Sequence, residues 1–315
     1  MNPKGELEIL SDIHPTDSPA MKLASATHQP SLQVVATNTA TEQLVCLWVH
    51  GKSKTTQKLY RRVSGLLLGA VGKPAQHLTL GDLQNFTDTL EARGLSTSSR
   101  RTYIAVVKSL LSFGHKTGLI QVNAGAALNT PKPKDTLSQK ILTEAEVKML
   151  IASEPCERNR LIFKVFYYAG LRVSELCSLN WEDLTSNGES GQLLIYGKAD
   201  KTRVVLLPKS LYTELLNSRG DAGNLEPIFR SRKKSDGGRL NPVSVTHLVK
   251  AAAVRVGLSE KASAHWLRHC HASHALNRGA PIHLLSQTLG HASVATTSKY
   301  LHAKPNDSSG LYLAT

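Results

Sequence analysis

The stretch Asn129-Thr-Pro-Lys-Pro-Lys134-Asp135 constrains this chain more than any other. Two prolines two residues apart remove two backbone donors and lock two φ angles, so no helix or central strand runs through it. It reads as a linker and divides the 315 residues in two. Whatever the chain does, it does with two cores rather than one.

Ahead of the linker the apolar period is helical throughout. Leu44, Leu47 and Trp48 open a face from Thr41, and Leu59, Val63, Leu66, Leu67 and Val71 continue after the break at Gly51. Thr79 caps a third helix that stops at Gly94. A fourth runs from Ser96 to Gly118 with Tyr103, Val106, Val107, Leu110 and Leu111 inward. The start of this fourth helix carries Arg100 and Arg101 among hydroxyl residues, a phosphate-contacting pattern. Residues 1–38 lack a sustained period and read as a flexible tail, with no apolar core of a secretory signal.

Beyond the linker the pattern is mixed. Thr143 and Glu146 fit a capping box, and an apolar helix through Leu161 and Phe166 stops at Gly170. Arg172 then stands at the start of the next helix. The one clear β signal is a hairpin, with Gln192–Tyr196 and Arg203–Leu207 flanking a tip that holds Lys198 and Lys201. Asn241-Pro242 is a cap-and-first-turn pair for a helix reaching Gly257. In the last stretch, His265 and Arg268 share one helical turn, and Gly290 ends a helix so that His291 and Tyr300 can face one point.

Charge narrows the partner. Lys and Arg number 38 against 24 Asp and Glu, a net of +14, which favours a polyanion such as nucleic acid. The four cysteines make no CxxC pair, so neither a disulfide framework nor a zinc site is expected, and reduced thiols point to the cytoplasm. No apolar run reaches membrane-spanning length. The neighbouring His269, His271 and His274 read as helix surface or core rather than a metal site.

Arg172, Lys198, His265, Arg268, His291 and Tyr300 suit one reaction, in-line displacement at a phosphodiester. Guanidiniums clamp nonbridging oxygens, an imidazole adds a hydrogen bond, and a phenol attacks while an acid protonates the leaving alkoxide. No GxxxxGK[ST] loop is present, so no nucleotide and no other cofactor is called for.

The pieces Ala169-Gly-Leu-Arg172-Val-Ser-Glu175-Leu, Gly197-Lys198-Ala-Asp-Lys201-Thr-Arg203, His265-Trp-Leu-Arg268-His, Leu289-Gly290-His291 and Thr296-Thr-Ser-Lys-Tyr300-Leu-His302 together resemble the tyrosine recombinase (phage integrase) family, in its simple Xer-like form. The resemblance spans residues 40 to 302. It implies a mainly α fold with a small β-hairpin or sheet. The parts would be a tail at 1–38, a SAM-like four-helix core-binding domain at 39–130, a linker at 131–140 and a mixed α+β catalytic domain at 141–315. It implies that Arg172 and Arg268 hold the scissile phosphate and that His291 binds it. Lys198 would be the acid for the 5′ oxygen, with Lys201 as its alternative, and His265 would be an acid/base near the tyrosine. Tyr300 would form a 3′-phosphotyrosyl bond, and Glu175 would orient the site from behind. Arg100, Arg101, Lys201 and Arg203 are expected on double-stranded DNA. A tetramer on two DNA sites, with or without a partner recombinase, and a nucleoid location follow from the same resemblance. Trp266, Cys270 and His271 depart from the residues commoner around this arginine. Two rival readings are a type IB topoisomerase-like nicking and closing enzyme and a DNA-binding regulator without catalysis.

Overall fold

The computed structural model describes residues 32–197, 202–232 and 238–301, with side chains from residue 40 onward. The sequence readings at 1–31 and at the hairpin lysines Lys198 and Lys201 lie outside the described residues. The chain forms two compact units, Met1–Pro133 and Lys134–Thr315. They divide inside the proline-lysine stretch.

The first unit holds α1 (Leu32–Val49), α2 (Lys54–Val71), α3 (Leu80–Ala92) and α4 (Thr97–Lys116). α1 starts nine residues ahead of Thr41, so an apolar period beginning at Leu44 marks where the helix meets the core, not where it begins. Local chemistry sets the other ends. Ser53 Oγ accepts from Thr56 N at 3.3 Å, and Thr79 and Asp82 form a capping box. Gly72 closes α2 in the left-handed region at φ 69°. Leu44, Leu67, Leu83, Leu90, Leu110 and Leu111 form the core, and Trp48 stacks on Tyr60 at 4.3 Å between centroids. On α4, Arg100 pairs with Glu91 at 2.6 Å and Arg101 is exposed.

The second unit runs α5 (Glu144–Ala152), α6 (Glu157–Ala169), α7 (Val173–Ser178), β1 (Leu184–Asn187), β2 (Ser190–Tyr196) and β3 (Thr202–Leu207). Then come α8 (Lys209–Asn217), α9 (Pro242–Arg255), α10 (Ala264–Asn277), α11 (Ile282–Leu289) and α12 (Val294–Ser298). The sheet is antiparallel in the order β1-β2-β3. It adds β1 to the expected hairpin. Gly188-Glu189, with Gly188 at φ 59°, makes the turn into β2.

β2 and β3 alternate, with Leu193, Ile195, Val205 and Leu207 turned to the core and Val204 and Leu206 to solvent. α6 and α10 pack side by side in the middle of this unit. Phe163 and Phe166 from α6, and Leu267 and Cys270 from α10, are fully or nearly fully buried there. Polar side chains stitch the pair at its ends. Cys270 Sγ accepts from Leu142 N at 3.2 Å, and His274 bonds Leu142 O through Nε2 at 2.9 Å and the Tyr167 hydroxyl through Nδ1 at 2.9 Å. His271 donates from Nδ1 to Tyr167 O at 2.7 Å. These two imidazoles satisfy backbone carbonyls inside the packing. Among the described residues, no group of three His, Cys, Asp or Glu is placed to hold a metal ion, and no helix is long and apolar enough to cross a membrane.

Candidate active site

The C-terminus of α11 organises the site. A helix leaves its last carbonyls without intrahelical donors and carries partial negative charge there. In this chain three guanidiniums take three successive carbonyls. Arg203 Nε donates to Thr288 O at 2.7 Å, Arg268 Nη2 to Leu289 O at 2.7 Å, and Arg172 Nη2 to Gly290 O at 2.9 Å. The arginines come from β3, α10 and the start of α7, so one helix end fixes three distant segments relative to each other.

Three cations so close need an anion, and Glu175 supplies it. It is 5% exposed. Its carboxylate accepts from Arg172 Nη1 at 2.7 Å, from Arg203 Nη1 at 3.0 Å and Nη2 at 2.8 Å, and from the Arg172 backbone N–H at 2.8 Å. Arg268 Nη1 lies 4.0 Å away. Burial pushes this carboxyl up, but the Arg203 and Arg172 hydrogen bonds outweigh it and hold its pKa at about 2. The backbone bond also caps α7, which places Arg172 at the helix start.

Arg268 is 4% exposed and its other amino group donates to Gly170 O at 2.6 Å. Burial, then Arg172, lowers its pKa to about 10, so it stays charged at neutral pH. Gly170 must be glycine on two counts. Its φ is 61°, and a Cβ there would come within 2.6 Å of the His271 ring and 2.9 Å of Leu289.

The turn from α11 to α12 brings in the remaining groups. Gly290 at φ 62° reverses the chain and Ser293 caps α12. His291 then meets Thr297 Oγ1 through Nδ1 at 2.8 Å, and its ring lies parallel to Tyr300 at 6.5 Å between centroids. Burial, followed by Arg268, Arg172 and Arg203, brings the His291 pKa down to about 4. With the Thr297 hydroxyl donating to Nδ1, the neutral ring keeps its proton on Nε2. Tyr300 is 6% exposed, and burial raises its pKa against the pull of Arg268.

A cavity of about 920 Å³ opens beside this cluster, lined by Arg172, Glu175, Arg203, Gly290 and His291. Gly197 and Thr202, the described residues on either side of the hairpin tip, also line it. The arrangement gathers Arg172, Arg268 and the neutral His291 ring in the neighbourhood of the Tyr300 phenol, residue types that suit displacement at a phosphate.

Comparison with known proteins decides the family. Residues 140–307 match the phage integrase family model. The tyrosine recombinase XerA of Pyrococcus furiosus is 35% identical over 258 residues, covering 81% of this chain and 85% of that protein.

The chain belongs to the phage integrase family, the tyrosine recombinases.

Two solved structures agree with this. The XerH site-specific recombinase bound to its difH substrate shares 26% identity, with a TM-score of 0.58 over 73% of this chain and 69% of that one. A lambda integrase dimer bound to a COC′ core site has the same fold, with a TM-score of 0.70 over 90% of this chain and 84% of that one at 18% identity. The protein is a tyrosine-type site-specific DNA recombinase, as the sequence reading expects.

Within the recombinase the structure brings Arg172, Glu175, Arg268, His291 and Tyr300 together. It holds two surprises. The imidazole that meets the Tyr300 phenol is His269, with Nδ1 at 2.8 Å from the hydroxyl. His265, expected beside the tyrosine, is exposed one turn earlier with its ring 6.5 Å from that of His269. Burial, then Arg268 and Arg172, lowers the His265 pKa. Arg203, expected on DNA, has its side chain 12% exposed and its guanidinium turned inward to Glu175 and Thr288. The reason is its register. It shares the inward face of β3 with Val205 and Leu207, and an arginine on a buried face needs internal partners. That two-residue period is visible in the sequence. The contact of Thr297 with His291 is not, because nothing local marks one threonine of Thr296-Thr297 over the other.

Proposed function

We propose that Arg172 and Arg268 hold the scissile phosphate of a DNA strand while His291 donates to it from Nε2. Tyr300 attacks phosphorus and leaves the strand as a 3′-phosphotyrosine. The departing 5′ oxygen takes its proton from the hairpin tip, through Lys198 or Lys201. His265, close to the field of both clamp arginines, joins the donors around the phosphate. The covalent linkage retains the energy of the broken bond, so a 5′ hydroxyl from a second duplex reverses the step and exchanges partners without a nucleotide. The observation that supports this reading is the triple arginine grip on the end of α11, the helix that leads through Gly290 to His291 and Tyr300. Each donor removed should slow cleavage on the order of 100- to 1000-fold.

The first unit serves in this proposal as the core-binding domain, SAM-like in type, and contacts duplex DNA, with boundaries near 39–130 and 141–315. Arg101, exposed on α4, is its best-placed phosphate contact, and Arg100 shares its charge with Glu91. The +14 balance supports a DNA partner. Four subunits on two sites, a possible second recombinase and a cytoplasmic, nucleoid-associated location complete the reading.

The test is covalent capture. A nicked suicide duplex, built on a site recovered by trapping from a randomised duplex library, should give a covalent protein–DNA band and then recombinant product. A band without exchange products favours the topoisomerase-like reading, and no band in the wild type sinks the enzyme reading. A band that survives Tyr300→Phe removes Tyr300 as the nucleophile.

A further inference from the structure

Tyr300 enters this reaction as a phenol and must lose its proton as it attacks. The group at its oxygen is an imidazole. His269 Nδ1 stands 2.8 Å from the hydroxyl, and the two rings lie 5.7 Å apart at 43°. Both partners are sheltered, Tyr300 at 6% exposure and His269 on the packed side of α10. The contact follows from helix geometry. Arg268 and His269 are adjacent on α10, about 100° apart around its axis, so one reaches the carbonyls of Gly170 and Leu289 while the other reaches Tyr300, two residues beyond α12.

We propose that His269 is a catalytic residue of this recombinase, the base that takes the Tyr300 proton during cleavage and returns it during rejoining. This rests on Tyr300 being the nucleophile. In the forward step the Tyr300 O–H bond breaks as an N–H bond forms at His269 Nδ1. The phenol oxygen bonds phosphorus, and the 5′ oxygen leaves with a proton from the hairpin tip. In the reverse step a 5′ hydroxyl attacks phosphorus as its proton passes back to the hairpin tip, and the departing phenolate recovers its proton from His269.

The surroundings put His269 in the right protonation state. Burial comes first, and Lys140, Arg268 and the protonated forms of His265 and His291 oppose a further charge, so its pKa is held at about 4 and the ring is neutral at pH 7. With the proton on Nε2, Nδ1 is an acceptor and the phenol donates to it. Alone, such a weak base is a poor match for a phenol raised above its usual pKa by burial. A bound phosphate changes this. Its negative charge against Arg268 cancels part of the field acting on His269 and makes the imidazole more basic as the substrate arrives. The base is therefore strengthened by the substrate it serves.

The test uses full-length protein and two nicked duplexes of the trapped site, one ordinary and one with a 5′-bridging phosphorothiolate, whose sulfur leaves without an acid. His269→Ala should form the covalent complex about 100-fold or more slowly than wild type on both duplexes. Its rate should rise with hydroxide across the neutral range where wild type is flat. Fluorinated tyrosine at position 300, a stronger acid, should restore much of the lost rate. His269→Gln keeps an acceptor without basicity and should stay slow.

Several results would overturn the proposal. These are a His269→Ala rate within threefold of wild type, rescue by the sulfur substrate (which would make His269 the leaving-group acid), or a His269→Gln rate equal to wild type. A slow His269→Ala with the wild-type pH profile and no gain from fluorotyrosine would assign the residue to packing alone. Tyr300→Phe separates this from the parent reading. If Tyr300→Phe gives no band while His269→Ala is unimpaired, only the base assignment fails. If Tyr300→Phe still gives a band, the nucleophile assignment fails first.

Discussion

Glu175→Gln is the sharpest test of how the site is built. The side chain keeps its size, but one acceptor oxygen becomes an NH₂ donor and the charge disappears. Four hydrogen bonds converge on this carboxylate, three from guanidiniums and one from the Arg172 backbone. At least one must become a donor facing a donor. Arg203 and Arg268 are left as nearly buried cations without an anion between them. Breaking a buried ion pair from one side costs about 3–5 kcal/mol. Arg172 is 37% exposed and water relieves part of its loss, so the lower end, about 3 kcal/mol, applies. For a unit the size of residues 134–315 that corresponds to a fall of roughly 6–12 °C in Tm.

The pH dependence gives an independent check on the same number. The folded pKa of Glu175 is about 2 against an ordinary 4.5. A depressed carboxyl stabilises fully above its unfolded pKa, and that stabilisation is lost as pH falls from 4.5 to 2. Wild type should lose it across this window and Glu175→Gln should not. Scanning calorimetry of both proteins from pH 7 to pH 3 reads both effects. A catalytic-unit Tm lowered by less than 2 °C at pH 7, or parallel pH curves, would refute the claim that this carboxylate holds the arginines together. DNA affinity is expected to move the other way. Removing a negative charge beside the clamp strengthens phosphate attraction, so Glu175→Gln should bind a nicked duplex at least as tightly as wild type while cleaving it far more slowly.

Two further outcomes are expected. His269, with a folded pKa of about 4 against 6.5, also stabilises fully above its unfolded value, so wild type should lose up to about 3 kcal/mol as pH falls from 6.5 to 4. Urea unfolding of His269→Gln should show a flatter profile over that window. Arg101→Ala should weaken duplex binding and reduce the slope of log affinity against log salt by about one phosphate contact. An unchanged slope in filter-binding titrations would remove α4 from the DNA surface.

What the sequence revealed and what it hid follow one physical division. Helix ends are local chemistry, so Thr79, Thr143, Asn241, Gly170 and Gly290 are legible as caps and stops, and all five serve as such. The first strand of the sheet hid behind polar residues. β1 is four residues long with three of them exposed, and only the Gly188-Glu189 turn after it announces it. The motif residues Arg172, Arg268, His291 and Tyr300 are legible because the reaction demands their types. What orders them is not, since it consists of pairings across the fold. Arg203 finds Thr288 from 85 residues away, and His269 finds Tyr300 from 31. The resemblance implied His265 near the tyrosine, and a three-residue step puts it on the face of Arg268. The phenol, however, arrives from α12 on a neighbouring face, where the residue next to Arg268 is the one in reach. The contact of His269 with Tyr300 depends on where the second helix ends, and in this chain the left-handed turn at Gly290 sets the course of that helix.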